Sequence, residues 1–286
     1  MKGYEILGFL EILRECIKVI SKNGKLIATI TTISILLNSL LLLAKSSSPK
    51  PGISDLFTEE TLLSFSNPNT TTSFIEKHMK DVQIIIGFWF LYLLTSLAIS
   101  LFSLVTMILA SAAAYNERNL SFGEFLLRIP KLCLRTLVTS LHLIFFAACY
   151  FVLGDILLIS IILLCNYNPL VPMGFFASIF YMYLAVVWVT ALVISVIEKS
   201  CYGIQAFGKA QGLVKGKRLH GFTLNLLCTI VIVIIRTSYK VRPNQQSVST
   251  QIISRFLATV LNCSLAMVYL LSYTVLYFQC KKTHGE

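Results

Sequence analysis

Six apolar runs constrain this chain more than anything else in it: residues 26–44, 84–110, 137–160, 173–197, 222–236 and 254–278. A helix needs about 20 residues to cross the hydrocarbon core of a bilayer. Within that core every backbone N–H and C=O must be paired internally, which leaves helices or closed barrels. Long runs without period-two alternation select the helix. The expected fold is therefore all-α: one polytopic membrane domain over residues 1–286, with six transmembrane helices and amphipathic helices at the cytoplasmic face. Charged residues make up 13% of the chain, about half the share in an ordinary soluble domain. The run 222–236 is the shortest and leaves Arg236 to snorkel at its outer end. The first run also starts later than the apolar core of a typical signal peptide.

Six crossings put both termini on one side, and the distribution of Lys and Arg says which. The terminal segments and the links before the third and fifth spans hold 16 basic residues, against eight in the other loops. Positively charged loops stay in the cytoplasm, so both termini are expected there, in an endomembrane or the plasma membrane. The last outer loop, with Arg236, Lys240, Arg242 and Arg255, runs against the rule locally. Asn69-Thr70-Thr71 in the first outer loop is a glycosylation sequon, which makes Asn69 a candidate modification site.

Three amphipathic segments recur ahead of pairs of spans. Tyr4 to Ile20 places Ile6, Phe9, Leu10, Leu13, Cys16, Ile17 and Ile20 on one face at helical spacing. Ser121-Phe-Gly-Glu124 is a capping box, and Pro130 is expected to kink or divide the helix that follows.

The third segment, Glu198 to Arg218, is the most basic link in the chain, with five cations and one acid. Gly203-Ile-Gln-Ala-Phe-Gly208-Lys209-Ala210 approaches a P-loop. It lacks the Ser or Thr that holds Mg²⁺ and the strand that precedes such a loop, so no nucleotide or other cofactor is expected. Gly208, Gly212 and Gly216 recur every four residues, a spacing that lets helices approach closely. Ala206, Phe207, Ala210, Leu213 and Val214 form the apolar side. Lys209, Lys215, Lys217 and Arg218 are candidate contacts for anionic lipid head groups or a cytoplasmic protein partner. The net charge of +11 lies beside the spans rather than on a polar domain, which argues against nucleic acid.

Polar residues inside spans call for a reason. Asn225 and Asn262 are candidates for a hydrogen bond between the fifth and sixth spans. His142 and Asp155 share the third run but stand about 20 Å apart along a helix. Glu198 is placed to pair with Lys199, Lys209 or Arg218. Eight cysteines occur singly, without metal-ligand spacing. Cys16, Cys133, Cys201 and Cys280 lie near the inner ends of spans, where acylation is chemically feasible. No catalytic motif is present, and the four histidines are isolated.

Trp188, Glu198, Gly203, Ala206, Lys209, Leu213, Lys215-Gly216 and Arg218, together with Ile6-Leu7-Gly8-Phe9-Leu10-Glu11-Ile12-Leu13-Arg14, resemble a plant family of six-span membrane proteins. More distantly they are similar to the membrane domain attached to some bacterial glycerophosphodiester phosphodiesterases. The resemblance implies the six-span fold. It implies no phosphodiesterase activity, since that enzyme's catalytic domain has no counterpart in this sequence.

The expected role is non-enzymatic: organising the bilayer or a partner through the basic face. The alternative is a transporter or channel-like bundle for a small solute. A polar cavity open to one side and reaching Asn225, Asn262 or His142 points to the second; a solid bundle points to the first.

Overall fold

The computed structural model describes residues 2–47, 71–116, 122–165, 170–198, 200–240 and 248–283. Among these residues the regular structure is all helix: α1 (Lys2–Lys22), α2 (Gly24–Ser47), α3 (Thr71–Tyr115), α4 (Phe122–Cys165), α5 (Leu170–Ile197), α6 (Ile204–Leu213), α7 (Arg218–Lys240) and α8 (Val248–Thr283). Six segments are long and apolar enough to cross a bilayer: Gly24–Ala44, Ile86–Tyr115, Arg128–Ile161, Pro172–Ile197, Arg218–Ser238 and Ile252–Thr283. The molecule is an integral, multi-pass membrane protein. Asn69, Ser121 and most of the first outer loop lie outside the described residues.

The helices run past the limits that hydropathy sets. α3 begins at Thr71 and α8 at Val248, in stretches read from sequence as loop. Continuing the helix keeps backbone groups paired near the apolar layer, where each unpaired group is costly. Pro172 falls in the first turn of α5, where its missing N–H would have no helical partner in any case. Pro130 lies inside α4, which continues through it as one helix.

Two compact units form: Met1–Ile35 with Leu101–Glu286, and Leu36–Ser100. In the smaller unit Leu36, Leu40, Phe90, Leu91 and Leu93 are exposed, as expected of side chains that face acyl chains.

The core of the larger unit gathers Ile108, Val186, Ile194, Val214, Leu271 and Tyr273, all essentially inaccessible. α1 lies against α8. Cys16 Sγ donates to Ser272 Oγ at 3.4 Å, and Gln279 Nε2 donates to Glu15 Oε2 at 3.2 Å. Ile12 and Cys16 are buried, whereas Leu10 and Ile17 are 53% and 67% exposed. The buried stripe is thus rotated from the face expected. α1 is apolar on two sides, and contact with α8 selects the Ile12/Cys16 side.

Further bonds set the remaining helices. Tyr150 OH donates to Ala177 O at 2.6 Å, tying α4 to α5. Gly203 N donates to Thr139 Oγ1 at 2.9 Å, tying the start of α6 to α4. Tyr115 and Phe278 stack with centroids 4.6 Å apart. α5 and α7 meet closely at Gly221, where a Cβ would lie 2.5 Å from Val186 Cγ1. A side chain there would force Val186 or the helix backbones to shift.

Candidate functional site

Helices α4, α5, α7 and α8 do not close into a solid bundle. They line an open cavity of about 1270 Å³ whose walls run from Met173 to Val189 along α5. That length of helix rises about 24 Å, most of the thickness of a hydrocarbon core. Every lining residue belongs to one of the candidate spans. The walls are apolar, with Leu143, Phe151, Phe176, Phe180, Ile232 and Leu265 among them. Polar groups enter from all four helices, among them Asp155 on α4, Ser178 on α5, Asn225 and Thr229 on α7, and Asn262 on α8.

Asn225 is buried and fully committed on its acceptor side. Its Oδ1 accepts from Tyr269 OH at 2.8 Å and Tyr273 OH at 2.7 Å. Its Nδ2 donates to Met182 O at 2.8 Å, leaving one amide proton over. One side chain thereby joins α5, α7 and α8. Asn262 is not its partner. It is exposed and lines the cavity, seven residues, or about 10 Å, before Tyr269 along α8. The expected bond between the two asparagines is therefore replaced by the pair of tyrosines, which stand at the height of Asn225. His142 does not line the cavity; its Nδ1 lies 2.7 Å from Val138 O, within its own helix.

At the end of the bundle where α5 stops, α6 lies with Ala206, Phe207, Ala210 and Leu213 buried, the side that its apolar spacing marks. Phe207 meets Phe146 edge-on, with centroids 5.2 Å apart. α6 ends at Leu213, and Gly216 adopts φ +99° in the turn that follows, a conformation that disfavours L side chains. Gly216 therefore does not continue the row of Gly208 and Gly212. Neither of those glycines packs against a neighbour: a Cβ on either would meet nothing within 4 Å. Close helix packing is found instead at Gly221.

Glu198 fastens α6 to α8. Its Oε2 accepts from Lys209 Nζ at 3.0 Å, and its Oε1 accepts from Tyr277 OH at 2.7 Å. Burial pushes the Glu198 carboxyl up. The bonds from Tyr277 and Lys209, with the charges of Lys209 and Lys281, outweigh that and hold it below the usual value. Burial likewise raises the thiols of Cys16 and Cys201. Cys280 is buried as well and Cys133 half-buried, so none of the four candidate acylation sites presents an open thiol.

The four candidate cations do not form one surface. Lys209 is turned to Glu198. Lys217 Nζ donates to Thr283 Oγ1 at 3.1 Å. Arg218 Nη1 donates to Tyr183 OH at 2.9 Å, with its guanidinium carbon 5.5 Å from the Tyr183 ring centroid. Lys215 is exposed. Lys215 and Arg218 line a second cavity of about 660 Å³ with Tyr183, Gly208, Gln211 and Gly212.

A model of a protein family matches residues 2–286. The chain belongs to the DUF8558 family, a domain of unknown function. No curated protein and no solved structure matches it. In this DUF8558 chain no group of three or more His, Cys, Asp or Glu is placed to hold a metal ion among the described residues. The features on which a function rests are thus the two cavities and the Glu198 node. Sequence reasoning reached Asn225, Asn262, Glu198 and Arg218, but not Tyr269, Tyr273, Tyr277 or Tyr183. Tyrosines inside apolar runs look like ordinary span residues until their partners are known.

Proposed function

We propose that this DUF8558 protein is a non-enzymatic membrane protein that holds a small amphipathic molecule inside the bilayer, as a carrier or receptor. The cavity between α4, α5, α7 and α8 carries this reading. A pocket that is mostly apolar, with a few convergent polar groups, is the usual form of a small-molecule site. This one also lies at the depth where amphipathic molecules already partition. Its walls suit an apolar body, and Asn225, Thr229 and Asn262 supply groups for one or two hydrogen bonds. The open cavity supports this reading over that of a pure scaffold, which a solid bundle would favour.

The proposal keeps both termini in the cytoplasm, supported by the basic character of Glu198–Arg218 and of the tail beside it. It also keeps the kinship with the plant six-span family, whose shared residues Trp188, Glu198, Lys209 and Arg218 lie in α5, α6, α7 and the link between them. The test is saturable binding of an apolar fluorescent dye, N-phenyl-1-naphthylamine, to the full chain in neutral detergent. Ala266 is exposed and lines the cavity. Ala266→Phe is expected to weaken binding about tenfold or more, roughly the loss of one well-buried contact. Equal binding by both proteins would refute the reading.

A further inference from the structure

Packing does not account for the second cavity, the one beside α6. Glycine inside a helix costs roughly 0.5–1 kcal/mol relative to alanine. Gly208 lies within α6 and Gly212 in its last turn, yet no neighbour occupies the space a Cβ would fill at either. Both face the cavity rather than the bundle. Their missing side chains keep its floor open and leave helix backbone within reach of whatever enters.

The charge of the cavity says what would enter. Arg218 is fixed from two sides: Nη1 donates to Tyr183 OH and Nη2 reaches Gln211 O at 3.5 Å. These bonds use one N–H on each terminal nitrogen and leave one over on each, and an anionic oxygen is the partner a guanidinium best accepts. Lys215 adds a second, exposed cation, and no acidic side chain lines the cavity. α7 starts at Arg218, so the positive end of its dipole lies there too. Two cations and a helix start exceed what one carboxylate needs and match a phosphate.

We propose that this cavity binds a phosphate group, held by Arg218 and Lys215 over Gly208 and Gly212. No residue lines both cavities, so the site stands independently of the reading above. Arg218 is the first residue of a candidate span, the level at which lipid phosphates lie. A soluble phosphate ester has the same chemistry.

The test is titration of the full chain in neutral detergent with three probes: dihexanoyl phosphatidic acid, dihexanoylglycerol and inorganic phosphate. The expected result is saturable binding of phosphatidic acid and none of dihexanoylglycerol. Binding that inorganic phosphate matches would assign a soluble ligand, and binding it fails to match would assign a lipid. Arg218→Gln is expected to weaken the binding about tenfold or more, as losing a charged hydrogen bond does. Because that variant also loses the Tyr183 contact, Gly212→Leu provides the second arm. Leucine favours the helix and its Cβ would meet no neighbour, while the rest of its side chain extends into the cavity, so binding is expected to fall in a folded protein. Lys217→Gln, outside the cavity, is expected to bind as the parent does. No saturable binding of either phosphate probe, equal binding of dihexanoylglycerol, or unchanged binding in Gly212→Leu would overturn the proposal.

Discussion

Tyr277 donates a 2.7 Å hydrogen bond to Glu198 Oε1 across 79 residues of sequence, while Lys209 takes the other carboxylate oxygen at 3.0 Å. One carboxylate therefore couples the end of α5, the short α6 and the last turns of α8. Replacing it with glutamine removes the charge and leaves a single side-chain oxygen to accept from the Tyr277 hydroxyl and the Lys209 ammonium. Glu198→Gln is expected to cost about 1–3 kcal/mol, read as a lower Tm in detergent. Glu198 titrates below its ordinary 4.5. A depressed carboxyl stabilises the fold above its unfolded-state pKa, and that contribution is lost as pH falls through the folded value. The Tm gap between wild type and Glu198→Gln should hold at about pH 6 and close below about pH 4.5. A gap that is constant down to pH 3 would exclude the ionised carboxylate as its source.

Gly221 and Val186 form a tight pair, with 2.5 Å between the place of a Cβ and Val186 Cγ1. Gly221→Ala overpacks the contact of α5 with α7 and should cost about 1–3 kcal/mol. Adding Val186→Ala should recover part of that loss. If the two changes are simply additive in thermal unfolding, the close approach is not what makes Gly221 necessary.

Asn225 binds three groups on two helices. Asn225→Leu keeps the bulk and removes the bonds, for an expected loss of about 0.6–2 kcal/mol, the range found for polar contacts between membrane helices. Asn262→Leu breaks no such contact and should leave the unfolding free energy within about 0.5 kcal/mol of the parent. Equal losses at both positions would contradict the network.

The orientation predicts that a C-terminal tag is accessible. Protease added to sealed vesicles whose cytoplasmic face is outward should remove the tag completely. Protection of the tag would reverse the orientation.

The spans were legible in the sequence because the bilayer demands a length that few other structures need. Their ends were less so: hydropathy falls at Thr71 and Val248, while the backbone still gains by remaining helical. The inner face of α6 could be read from Ala206, Phe207, Ala210 and Leu213, since their spacing alone selects it. The role of its glycines could not. A four-residue spacing is the same whether the glycines face a helix or an open cavity, and only the neighbours distinguish the two. Pairing across the bundle was half legible. Lys209 was one of three candidates for Glu198, eleven residues away on the next helix, but Tyr277 comes from a distant span whose height and rotation no local pattern encodes. The same reason explains why Asn225 meets Tyr269 and Tyr273 rather than Asn262.

Trp188 offers the most direct test of the intramembrane cavity. It lines the cavity and is only 7% exposed. The chain has two tryptophans, so Trp89→Phe leaves Trp188 as the single emitter. The full-length variant in neutral detergent is titrated with 9,10-dibromostearic acid, an amphiphile whose bromines quench indole fluorescence on contact. The account predicts saturable quenching of Trp188 that Ala266→Phe relieves. Emission that stays unchanged through the titration, or quenching that Ala266→Phe leaves intact, would contradict it.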